Sequence, residues 1–123
     1  MRGLCRGGGP DRWRGGGGGG GGAAVLLIAG TFKIDPARHD EFAAAAVACA
    51  TTTRTEDGCV AYAFSADFAD KGTVYVAEKW TSEEALRAHL TTEHVATFRA
   101  AIAGIMQGGD VLKYQISSEG PVM

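Results

Sequence analysis

Residues 59–80, CVAYAFSADFADKGTVYVAEKW, decide the fold. From Cys59 to Ala66 large and small side chains alternate: Val60, Tyr62 and Phe64 point one way, and Cys59, Ala61, Ala63 and Ser65 the other. That period of two belongs to a strand. Asp67 to Gly72 is a polar turn and Thr73 to Trp80 a second strand, so the segment predicts a β-hairpin. Upstream, residues 24–34 (AVLLIAGTFKI) form another β-rich apolar run. Asp35-Pro36 supplies an N-cap and a first-turn proline, and the alanine-rich residues 37–55 predict a helix. His39, Phe42, Ala46, Cys49 and Thr53 recur at helical spacing as its buried face. Downstream, Thr81 and Glu84 have capping-box spacing, and Leu86 and Leu90 lie four apart on the face of a second helix. After a kink near Thr91-Thr92, His94, Phe98, Ala101, Ile102 and Ile105 continue an apolar face. Gly104, Gly108 and Gly109 are read as ending the helix, and Val111 to Ser117 as a last strand. The order β-α-β-β-α-β predicts an α+β, ferredoxin-like subunit. Its helices cover one sheet face only. Tyr75, Ala77, Leu112, Tyr114 and Ile116 would leave the other face wet, so the sequence predicts a homodimer packed sheet to sheet.

Composition separates this domain from what precedes it. Of 19 glycines in 123 residues, twelve lie in residues 1–22, a segment with charge +3, whereas residues 23–123 carry −5. Beyond Met1 the segment's apolar residues are Leu4, Cys5 and Trp13, too few to offset the entropy of ordering a glycine chain. The expected organisation is a disordered Gly/Arg-rich leader (1–22), one domain (23–118) and a short tail (119–123). A leader with a single aromatic and few arginines is a poor RNA-binding tract. The stretch from Ala23 to Ala29 runs into Gly30-Thr31-Phe32-Lys33 without a small-residue cleavage site, so it reads as a strand and not as a secretory signal. An acidic domain has no cationic excess to neutralise phosphates, which argues against nucleic acid. No stretch approaches the ~18 apolar residues of a membrane span. The three cysteines lack metal or redox spacing, and Cys49 and Cys59 read as small reduced hydrophobes, which suits a cytoplasmic protein.

Chemistry concentrates in residues 74–94, VYVAEKWTSEEALRAHLTTEH. Val74, Val76, Glu78 and Trp80 share one strand face. A carboxylate in that company is costly to bury unless hydrogen-bonded or protonated. The plainer account pairs Glu78 with Arg54 or a histidine; the functional one places it in a small apolar pocket where it tunes a partner. His89 and His94 are five residues apart, about 140° on one straight helix, which disfavours shared metal ligation. A lone helical histidine is more often a packed residue than a catalyst, yet both follow Glu78 and Trp80 at one end of one pocket. No phosphate loop, nucleophile elbow or zinc spacing occurs elsewhere.

The ordered set Arg54-x-Glu56-Asp57-Gly58-Cys59, Tyr62, Glu78-x-Trp80-x-Ser82-x-x-Ala85-Leu86-x-x-His89, His94 and Phe98 resembles the antibiotic biosynthesis monooxygenase family across residues 25–117. The resemblance implies a ferredoxin-like subunit forming a dimeric α+β barrel, and it points to the quinol-monooxygenase-like branch. It implies an oxidoreductase needing no cofactor and no metal, whose partners are a second copy, a small aromatic substrate and molecular oxygen. Relatives degrade haem or isomerise a phosphorylated sugar derivative. Several oxygen-using relatives employ an asparagine, and this sequence contains none. His89 and His94 are the candidate bases and Glu78 the residue that orients them. Trp80, Tyr62, Phe98 and Arg54 are the candidate substrate contacts. Two other classes stay open: a cofactor-free isomerase using the same groups, and a non-enzymatic dimer that binds a small ligand.

Overall fold

A computed structural model describes residues 25–123. The predicted leader, residues 1–22, lies outside them. Four strands, β1 (Val25–Ile34), β2 (Cys59–Ala66), β3 (Thr73–Trp80) and β4 (Met106–Ile116), form one antiparallel sheet in the order β2-β3-β1-β4. Three helices join them: α1 (His39–Thr53), α2 (Glu83–Leu90) and α3 (Glu93–Ile102). The ferredoxin-like α+β topology is the one the hairpin predicted, with the second helix broken in two. Among the described residues, no helix is long and apolar enough to cross a membrane.

The inner sheet face and the helices bury one core. Leu26 and Ile28 of β1, Tyr62 and Phe64 of β2, and Val74, Val76 and Trp80 of β3 meet Phe42 and Cys49 of α1, Leu86 of α2 and Phe98 of α3. Each large side chain removed from water contributes about 1.5–3 kcal/mol. Phe64 lies 5.2 Å from Phe98, and Phe42 lies 6.2 Å from Phe64 and 5.9 Å from Phe98, in tilted or edge-on pairs. Aromatic rings therefore fill much of the space between sheet and helices.

Several local expectations are corrected. Asp35 caps as predicted, accepting from the Ala37 N–H, but the chain first makes a 3-10 turn over Pro36–Arg38. His39 opens α1 only partly buried, and Ala50 joins the buried face. Ser82, not Thr81, caps α2 by accepting from Ala85 N. Leu90 is exposed, because the inward face of this short helix is the i, i+3 pair Leu86 and His89. Gly108 and Gly109 sit inside β4, opposite Lys33 and Phe32, so β4 begins five residues before the predicted strand. Cys49 is a buried free thiol as expected, whereas Cys59 is disulfide-bonded.

Glycine is required where β1 meets β4. A methyl group on Gly30 would lie 1.9 Å from the Asp110 carbonyl oxygen, so the central pairing excludes a side chain there. The outer sheet face carries Leu27 opposite Tyr114, and Ala29 between Leu112 and Ala77. Leu112, Tyr114 and Tyr75 are 55%, 48% and 44% exposed. On the same face Lys79 is buried and pairs with Glu119 of the C-terminal tail.

A carboxylate-dihistidine candidate site

The turn after α1 carries Glu56, and its backbone fixes where that carboxylate goes. Glu56 N–H donates to the Thr53 carbonyl at 2.9 Å, and Glu56 carbonyl accepts from Cys59 N–H at 3.3 Å. Gly58 has φ +83°, a left-handed conformation that favours glycine. A Cβ at Gly58 would also lie 2.4 Å from Ala85 Cβ and 2.9 Å from Thr81 Oγ1. The Gly58 carbonyl accepts from Thr81 N–H at 2.8 Å. Close contact through a bare backbone thus sets the turn against the start of α2.

The two threonines after α2 do the complementary work. Thr91 Oγ1 donates to the Ala88 carbonyl at 2.9 Å and Thr92 Oγ1 to the His89 carbonyl at 2.8 Å, which closes α2. The Thr92 hydroxyl also accepts from Val95 N–H as the N-cap of α3. Side chains that compete for backbone groups in this way favour helix ends. The break defeats the straight-helix expectation that His89 and His94 point about 140° apart. His89 Nδ1 lies 2.8 Å and His94 Nε2 2.7 Å from the same atom, Glu56 Oε2. An ionised carboxylate only accepts, so both rings donate and Glu56 fixes both tautomers. The side chains of His89, Glu56 and His94 are 2%, 16% and 21% exposed, a gradient from core to surface. Burial pushes the His89 imidazole below its ordinary range, against the opposing pull of Glu56. Its ring packs 4.7 Å from Trp80 and 5.2 Å from Tyr62.

Glu78 plays a different part from the predicted one. Its Oε1 accepts from Trp80 Nε1 at 2.9 Å, and no described hydrogen bond joins it to a histidine or to Arg54. Burial raises the Glu78 carboxyl from 4.5 to about 7, with Trp80 opposing the shift and Glu56 adding to it. The folded state therefore holds a proton that the unfolded chain releases. Stability from this group is complete below about pH 4.5, falls as pH rises, and is lost above about pH 7. The loss is up to about 3 kcal/mol. Urea midpoints between pH 4.5 and 8 should show that decline, and Glu78→Gln should flatten it. Equal slopes in both proteins would contradict the assignment.

The remaining predicted contacts separate. Arg54 Nε donates to the Tyr62 carbonyl at 2.9 Å, and Arg54 lines an apolar cavity of about 240 Å³ with Phe42, Phe64 and Val74. His94 and Phe98 line a second cavity, about 360 Å³, between α1 and α3 beside Cys49 and Thr97. Trp80, Tyr62, Glu78 and His89 line neither. Trp80 is fully buried, and burial holds the Tyr62 phenol neutral far above its ordinary range. Of the seven predicted site residues, His94 and Phe98 share one of these two cavities and Arg54 lines the other. Glu56, a member of the motif with no role assigned from the sequence, is the group that unites the histidines. It stands 33 positions before His89, so neither spacing nor periodicity on one element could have joined them.

This subunit and its part-buried carboxylate-dihistidine cluster define a small α+β domain with one histidine of that cluster at the wall of a cavity. Residues 26–101 match the antibiotic biosynthesis monooxygenase family, and the chain belongs to it. An uncharacterized protein of Synechocystis sp. is 29% identical over 72 residues, 58% of this chain and 49% of that protein, so the chain spans about half the length of this curated relative. Among solved structures, a Pseudomonas aeruginosa protein superposes with TM-score 0.70 at 26% identity, over 80% of this chain and 98% of its own. A Deinococcus radiodurans protein, provisionally called an antibiotic biosynthesis monooxygenase, gives TM-score 0.73 at 23% identity over 80% and 98%. The second likeness shows the fold alone.

Proposed function

We propose that the protein is a cofactor-independent monooxygenase that oxidises a phenol or quinol with molecular oxygen. The observation that carries this reading is His94: a histidine at a cavity wall, oriented by a carboxylate, in a chain of this family. With Nε2–H committed to Glu56, the other ring nitrogen, Nδ1, is the basic one. The substrate lies between α1 and α3 against Phe98, and His94 takes its phenolic proton. The electron-rich phenolate passes one electron to oxygen, and the radical pair joins to a carbon-bound peroxide. Loss of water then leaves a carbonyl: one oxygen atom stays on carbon, and the other departs with the ring C–H hydrogen and the phenolic proton. The protein supplies deprotonation, orientation and exclusion of bulk water. His89, behind His94, positions Glu56 and does not touch substrate. Oxygen uptake with simple quinols by metal-free protein tests the reading. Turnover that persists without oxygen would move the site to an isomerase, and uptake equal to that of the His89→Ala/His94→Ala double variant would refute catalysis here.

We further propose that two subunits pack through the outer sheet face, where Leu112, Tyr114 and Tyr75 lie exposed. Sedimentation at micromolar concentration should report a dimer, and Leu112→Lys should shift it to monomer. A monomeric wild-type protein would contradict the arrangement.

A further inference from the structure

Three donor atoms of the types that hold divalent metals converge from three separate segments. Glu56 Oε2 comes from the α1–β2 turn, His89 Nδ1 from the end of α2 and His94 Nε2 from the start of α3. All three lie within 4.8 Å of one another. We propose that Glu56, His89 and His94 form a binding site for one late first-row divalent cation, with Zn²⁺ and Co²⁺ as the natural probes.

The donor chemistry fits. Two imidazoles and a carboxylate suit this class of ion and leave coordination positions open. Metal–ligand bonds of about 2.0–2.2 Å place neighbouring donors in a tetrahedral site roughly 3.4 Å apart. The carboxylate oxygen now sits 2.7 and 2.8 Å from the two nitrogens, so a cation entering between them spreads each contact by several tenths of an ångström. That displacement lies within the reach of side-chain torsions. The fold leaves a route in, because His94 is part-exposed and lines the cavity between α1 and α3. Thr92 Oγ1, 3.4 Å from His94 Nε2, adds a neutral oxygen beside the site. Each ring must give up the N–H it now directs at Glu56, and a neutral imidazole does so by carrying its proton on its other nitrogen.

One consequence rests on the proposed oxygenase reading. Metal on Nε2 leaves the proton on Nδ1, so the cation and the general base exclude each other, and metal arrests turnover. Binding itself does not depend on that reading.

The test uses full-length protein stripped with chelator and titrated with Co²⁺ and Zn²⁺. Calorimetry and the visible Co²⁺ spectrum report stoichiometry and donor set, and quinol oxygen uptake is followed in parallel. We expect one ion per chain and a rise in melting temperature. Glu56→Gln and His94→Ala should weaken binding by at least the roughly 10- to 100-fold that follows loss of an outer partner at a metal site. His39→Ala removes the remaining histidine, which lies elsewhere, and should leave binding unchanged. Because His89 is buried and His89→Ala can fail to fold, the two part-exposed ligands carry the test. Absence of saturable binding, or equal binding by Glu56→Gln and wild type, overturns the site. Metal binding without any oxygen uptake keeps the site and removes the base. Oxygen uptake unaffected by saturating metal keeps the site and refutes the competition.

Discussion

His94→Ala should lower quinol-dependent oxygen uptake by roughly 10²–10⁴-fold, the usual contribution of a positioned general base. The structure makes this a clean substitution. His94 is part-exposed at the first turn of α3, and that helix keeps its Thr92 cap without it. Loss of its hydrogen bond to Glu56 should lower the unfolding midpoint modestly while turnover collapses. His89→Ala differs in kind. It empties a fully enclosed position between Trp80 and Tyr62 and removes one of the two donors to Glu56, so stability falls together with activity. Steady-state kinetics alongside urea unfolding of both variants separates the roles. If His94→Ala retains more than a tenth of wild-type kcat, His94 is not the base.

Trp80→Ala should destabilise the domain by about 3–5 kcal/mol, in the range of large-to-small changes at fully buried aromatic positions. The indole makes ring contacts with His89 at 4.7 Å and Tyr62 at 6.4 Å, and its N–H is the hydrogen-bond donor to Glu78. Trp80→Phe keeps much of the volume but leaves Glu78 Oε1 without that donor, and should cost about 1–3 kcal/mol. Since Trp80 lines neither described cavity, both variants should act first on unfolding free energy and leave KM for a soluble quinol nearly unchanged among folded molecules. A large rise in KM with unchanged stability would place the indole in the substrate pocket, as the sequence alone suggested, and would refute the structural role.

That contrast shows what sequence reading reached. Alternation in Cys59–Ala66 and Thr73–Trp80 specified a hairpin because a strand's period of two is local. Asp35-Pro36 marked the start of the first helical segment because capping is local too. Errors fell where two local signals competed. Gly108-Gly109 reads as a helix stop, yet pairing with Phe32 and Lys33 takes both residues into β4. Leu86 and Leu90 make a plausible helical stripe, but the threonine break ends α2 at Leu90, and His89 takes the inward place. At the site, hydrogen-bond partners follow from tertiary contact and not from spacing. The sequence offers Glu78 a histidine partner; its near neighbour Trp80 holds it instead.

The sequence by itself determined the order of strands and helices, the apolar faces and the family, because these follow from periodicity, capping and an ordered motif. The tertiary structure alone decided that Glu56, and not Glu78, unites the histidines. It also decided that Trp80 and Tyr62 are core while His94 and Phe98 reach a cavity. Two features made the difference: a left-handed glycine seats the Glu56 turn against α2, and a helix break turns two rings onto one oxygen. Neither contact is encoded in the spacing of neighbouring residues; both arise when segments distant in the chain pack against one sheet.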